Sequence, residues 1–186
     1  MTAVWIVVAI IVALLIYLVL AYNRLVRLRN EVDSGFSSID VQLKRRADLI
    51  PNLVESVKAY AVHESSVFEA VSQARSATLA ATTLPATAAA DALMQSAITG
   101  LLGVAEAYPQ LRAVESFKAL QDELADTEDK IAAARRYYNT TVRRYNTMLQ
   151  SVPTNVVAGA TGFTRREFYR IEDDADREPV AVRLGT

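Results

Sequence analysis

Apolar side chains fill the chain from Ala3 to Ala21 without a charge, and beyond that point they return mainly at steps of three and four. The first pattern spans roughly 28 Å as a helix, close to a bilayer core of about 30 Å. Trp5 near one end and Tyr22 near the other suit the two interfaces. A cleaved signal peptide is the rival reading, and it calls for a basic residue before a shorter apolar run. No basic side chain precedes this run, so a retained anchor is expected. Arg24, Arg27 and Arg29 all follow it, which places the short N-terminus outside and the rest of the chain in the cytoplasm.

The second pattern is helical. Leu25, Leu28, Val32, Phe36, Ile39 and Leu43 form one stripe, and Leu53, Val57, Ala61, Phe68, Val71 and Ala74 form another after Pro51. Between Pro85 and Pro109 the step continues through Ala90, Leu93, Ala97, Leu101 and Val104. The longest stripe runs Phe117, Leu120, Leu124, Ile131, Ala134, Tyr138, Tyr145 and Leu149, with an underlying seven-residue period. That period belongs to bundles packed near 20°. No segment alternates convincingly enough to be a strand. The expected fold is all-α: a single transmembrane helix over 1–21, then an antiparallel up-down-up-down bundle of four long helices over 22–152. Residues 153–186 are read as a membrane-proximal segment and a flexible, mixed-charge tail.

The stretch "VQLKRRADLIPNLVE" tests this reading. Lys44, Arg45 and Arg46 fit the last turn of the first bundle helix, where cations complement the dipole. Asp48 then caps the next helix and Pro51 occupies its first turn. A basic corner also binds phosphate, so an anion site is the alternative. Gly35, Gly100 and Gly103 are read as packing notches in helices.

Composition narrows the chemistry. The net charge is −1 and there is no cysteine, so thiol catalysis and cysteine-bound metal are excluded. Basic and acidic side chains balance between 22 and 150, leaving no global field for nucleic acid. "HESSV" opens like a zinc-protease motif, but position 67 is Val and His63 is the single histidine. A Glu-x-x-His diiron site is excluded for the same reason. Glu64 falls between Ala61 and Phe68 on the apolar stripe, where a carboxylate needs a partner. In "RRYYNTTVRRYNT", Arg136, Tyr138, Asn139 and Thr140 recur seven residues on as Arg143, Tyr145, Asn146 and Thr147. Interleaved arginines and aromatics can bind single strands on an open platform. These tyrosines lie on the core stripe, so a seam with polar contacts near its end is the preferred reading. Leu120, Leu124, Ile131, Tyr138 and Tyr145 are its expected core.

Two long blocks, "IDVQLKRRADLIPNLVESVKAYAVHE" and "EAYPQLRAVESFKALQDELADTEDKIAAARRYYNTTVRRYN", resemble the signatures of the LemA family. "YNRLVRLRNEV" and "VPTNVVAGATGF" extend the resemblance from about Tyr22 to Phe163. It implies a bacterial membrane protein with one N-terminal span, a helical bundle and no established enzymatic activity. A magnetosome member is linked to formation of a membrane compartment, and other members occur beside membrane proteases.

The expected function is therefore a non-enzymatic scaffold in the bacterial inner membrane that self-associates and shapes the bilayer. The alternative is an adaptor that recruits a protein partner. No cofactor, metal or nucleic acid is expected; lipid and further copies of the chain are. The expected lipid contacts are Trp5, Arg24, Arg27 and Arg29, with Phe163, Arg165, Arg166, Phe168, Tyr169 and Arg170 in the segment after the last helix. That segment has a second reading, in which it folds back and covers protein with its aromatics.

Overall fold

A computed structural model describes residues 1–61 and 63–170; the rest of the expected tail lies outside the described residues. The described residues are all-helical, without strands: α1 (Thr2–Lys58), α2 (Ser65–Ala80), α3 (Leu84–Glu106), α4 (Pro109–Arg112), α5 (Glu115–Gln150) and α6 (Thr154–Thr161).

α1 continues through both the apolar run and the expected corner, with Pro51 inside it. Proline lacks the N–H that would bond to the Ala47 carbonyl, a defect worth about 3 kcal/mol or more in a helix interior. Here the freed carbonyl has another donor, since Arg75 Nε on α2 bonds to Ala47 O at 3.0 Å. That contact explains how the helix passes Pro51. Asp48 is accordingly no cap but an exposed mid-helix residue, with its carboxylate 3.9 Å from Arg75.

The real break comes later. α1 ends at Lys58, and the amides of Tyr60 and Ala61 fold back onto Val57 O at 3.0 and 2.9 Å. His63 is exposed, and Glu64 stands just before α2 rather than on a helical stripe. α3 starts at a Thr83 cap whose side chain accepts from the Ala86 amide, with Pro85 in the first turn. α4 also begins on a proline, Pro109. α5 has neither proline nor glycine from Glu115 to Gln150, so nothing interrupts it.

The contacts divide into two compact units, Met1–Val41 with Asp129–Phe168, and Gln42–Glu128 with Tyr169 and Arg170. In the first, Leu25, Val32, Ile39, Ile131, Tyr138, Val142 and Tyr145 are buried. Gly35 is a true notch there: a Cβ would meet Tyr138 Cα at 3.3 Å. The second unit packs α2 against α3 around Ile50, Leu53, Val57, Met94, Ile98, Leu101, Phe117 and Leu124. Leu120 is only partly buried against this cluster, and Leu93, expected inside, is 56% exposed. Gly100 and Gly103 are not notches, since a Cβ at either would meet nothing within 4 Å.

Candidate functional site at the end of the apolar span

Every side chain from Val4 to Ile16 faces outward on α1. Trp5 is 73% exposed, and the best window of this helix has a mean hydropathy of 3.2 with none of it buried. An apolar surface this continuous is unfavourable in water and matches the bilayer interior. α3 is also long and apolar enough to cross a membrane, but 39% of its window is buried and its Met94, Ile98 and Leu101 fill the core of the second unit.

Protein contacts begin where the run ends. Tyr17 Oη and Thr154 Oγ1 share a hydrogen bond at 3.0 Å, which sets the start of α6 beside the last turns of the apolar segment. Ala21, Val157 and Ala158 are buried, whereas Val152 and Val156 are 82% and 68% exposed. α6 stops at Gly162, whose φ of 73° is a left-handed conformation that glycine adopts without a Cβ clash. The reversal brings Phe163 onto the Tyr22 ring, edge-on at 5.8 Å, with the Arg29 guanidinium 5.4 Å from its centroid.

Residues 164–167 then run along α5 as an extended strap. Tyr145 Oη donates to Thr164 O at 3.0 Å and Tyr138 Oη to Glu167 O at 2.9 Å. Asn146 brackets Arg166, accepting from its amide at 3.0 Å and donating to its carbonyl at 2.8 Å. The seven-residue repeat of Tyr138 and Tyr145 thus spaces two hydroxyls two turns apart, where an extended strap can use both. Burial raises the pKa of each phenol above the usual value, with Arg166 pulling the other way, so both remain neutral donors at ordinary pH.

Among the expected lipid contacts, Trp5, Arg24, Arg27, Arg165 and Arg170 are exposed. Arg166 pairs with Asp33 at 3.0 Å, and Phe163 and Phe168 are half-buried on protein. Tyr169, grouped with them, is a correction: it is buried, and its hydroxyl donates to Asp91 Oδ2. The corner reading of "KRR" is corrected too. Arg45 makes a surface pair with Glu123, while Arg46 is fully buried, 2.7 Å from Asp91 Oδ1 and 2.6 Å from Glu128 Oε1. Sequence reasoning had the means to find this. Arg46 falls on the stripe between Leu43 and Ile50, and Asp91 on the α3 face between Ala90 and Met94. Opposite charges on two apolar stripes point to each other.

These features define a class: an all-helical protein whose N-terminal helix carries an exposed apolar segment of membrane-spanning length. The LemA family model matches residues 35–184, and the chain belongs to the LemA family. It is similar to the magnetosome proteins MamQ 1 and MamQ 2 of Paramagnetospirillum magneticum, each 27% identical over 94% of this chain and 74% of the relative. The magnetosome protein MamQ of Magnetospirillum gryphiswaldense is 26% identical over 91% of this chain and 71% of its own. Protein LemA of Metamycoplasma hominis is 29% identical over 73% of this chain and 63% of its own.

Proposed function

We propose that the chain is a non-enzymatic scaffold of the bacterial inner membrane, anchored by residues 1–21, that self-associates and shapes the bilayer. The observation that carries this reading is the pairing of Tyr17 with Thr154. It sets α6 and the turn before it, with Val156 and Val152 outward, beside the end of the apolar segment, so one subunit grips the lipid twice. A single span merely tethers, whereas a span with an interfacial wedge also displaces headgroups on one side. The contacts of Gly35 with Tyr138 on α5 and of Tyr17 with Thr154 at the start of α6 support an antiparallel course for α1 and the chain from α5 into α6 in this unit. Arg24, Arg27 and Arg29 support an N-terminus outside and a cytoplasmic body.

The test is size-exclusion chromatography and electron microscopy of the detergent-extracted chain, then reconstitution into liposomes. Large homogeneous assemblies of the protein alone, with altered vesicle curvature, are expected. A monomer that leaves vesicles unchanged and assembles only with a second protein would replace the scaffold with an adaptor.

A further inference from the structure

Between α1 and α5 of the first unit lies an open cleft of about 1180 Å³. One wall carries Leu20, Arg24 and Arg27, the other Arg143, Arg144 and Met148. Glu31 is the one acidic residue in the lining, so the walls carry a formal charge of +3 at neutral pH. Among the described residues, these four arginines form no ion pair with a carboxylate.

Topology alone accounts for Arg24 and Arg27, since basic residues follow a span on its cytoplasmic side. It does not account for Arg143 and Arg144, which stand more than a hundred residues later on a different helix. Four guanidinium groups facing one cleft repel each other, and a shared anion relieves that repulsion. The depth of the cleft fixes which anion. Leu20 belongs to the apolar run, and Arg24 follows one helical turn later, so the mouth opens at headgroup level. Leu20 and Met148, one helical turn from Arg24 and Arg144, put apolar side chains beside the charges, which suits a molecule with both an acyl chain and a phosphate. Guanidinium forks bind phosphate oxygens in pairs and do so better than ammonium groups.

The geometry points to a binding site for the phosphate headgroup of an anionic membrane lipid, held by Arg24 and Arg27 from one side and by Arg143 and Arg144 from the other. This rests on the membrane-anchor reading above. It adds a specific ligand, and it gives Arg143 and Arg144 a role that their place on α5 alone does not suggest.

Native mass spectrometry of the full chain in detergent tests it, with phosphatidylglycerol, phosphatidylcholine and inorganic phosphate as probes. Phosphatidylglycerol should be retained at least about tenfold better than phosphatidylcholine, with the preference weakening as salt rises. R143Q/R144Q should lower its affinity by about 20- to 30-fold, and so should R24Q/R27Q on the opposite wall. All four positions are exposed, so either pair reports even where the other disturbs folding. R136Q, the matching exposed position one repeat earlier, should change nothing. Equal retention of the two lipids, unchanged binding by both double variants, or equal loss with R136Q would overturn the site. Competition by inorganic phosphate at the concentrations that suffice for the lipid would make it a soluble-anion site instead, and would also overturn the lipid assignment. The same spectra report subunit number. Lipid binding by a strictly monomeric chain would sink the scaffold and leave the cleft intact.

Discussion

The two compact units handle polar groups on apolar stripes in opposite ways. In the second unit, Arg46 and Asp91 are both fully buried and pair at 2.7 Å, with Glu128 as a second partner for Arg46 and the Tyr169 hydroxyl for Asp91. In the first, the polar members of the core stripe are Tyr138 and Tyr145, whose rings are buried while their hydroxyls reach carbonyls of the 164–167 strap. The first unit also leaves an entire helical segment bare, from Val4 to Ile16. The second covers its apolar stripes with α2 and α3. A buried ion pair demands a complete, dry enclosure, and failure of one partner strands the other. Neutral hydroxyls bonded to a surface strap tolerate partial wetting. The second unit is therefore built to stay closed, and the first to meet another solvent.

The sharpest way to break that contrast is to remove one buried charge. Arg46→Ala should destabilise the chain by about 3–5 kcal/mol, because the fully buried Asp91 is left without its cation. Amide exchange in α2 and α3 should accelerate, measured on the full chain in detergent. A loss below about 1 kcal/mol would mean that the pair is hydrated and that the units do not differ in this respect.

Next come the apolar positions of α5. Leu124→Ala in the second unit and Ile131→Ala in the first should each cost about 2–5 kcal/mol, since both are buried. Gln121→Ala should cost well under about 1 kcal/mol. Thermal melts of the full chain check all three. Equal effects at the three sites would show that burial along this helix has been misjudged.

A smaller effect concerns the proline inside α1. Arg75→Ala should cost about 1–3 kcal/mol by stranding the Ala47 carbonyl that Pro51 leaves free. In a Pro51→Ala background the new amide takes that carbonyl, so the same change should cost measurably less. A double-mutant cycle gives the coupling, and simple additivity would refute the capping role.

That arginine also shows where sequence reasoning runs out. The helical class, the apolar span and the stripes were legible because they depend on residues close in the chain. "KRRADLIP" reads as a corner by every local rule: basic residues in a last turn, an aspartate cap and a proline after it. What overrides those rules is a donor 28 positions away, on α2. The true break, at 59–64, contains no glycine or proline to announce it. Gly100 and Gly103 looked like notches because close approach is a common use of helical glycine, yet no neighbour comes near them. At the candidate site, Arg24 and Arg27 were readable from their place after the span. Arg143 was seen only as a repeat of Arg136, and Arg144 was not singled out, since nothing local says which helix they face. The strap was open to two readings, and Tyr169 turned inward because Asp91 offered a buried acceptor.

The finest distinction lies in the strap's own hydrogen bonds. Tyr138→Phe and Tyr145→Phe each remove one donor while keeping the ring, at a cost of about 0.5–1.5 kcal/mol. The lost partners are carbonyls of Glu167 and Thr164, both exposed residues that water can reach, so the lower half of that range is expected. The pH dependence separates this from mere loss of packing. Burial raises both phenol pKa values above 10.0 in the folded chain, so the folded state holds its protons after the unfolded state has released them. Their contribution is thus complete below about pH 10 and is lost as pH rises through the folded values. Denaturant melts of the parent at about pH 9 and about pH 11 should show that decline. The double Phe variant should show a smaller one, and the difference between the two slopes isolates the tyrosines from other titrating groups. Parallel slopes would mean that the hydroxyls are as wet in the folded state as in the unfolded one, and the strap would then be held by Asn146 and the Arg166–Asp33 pair alone.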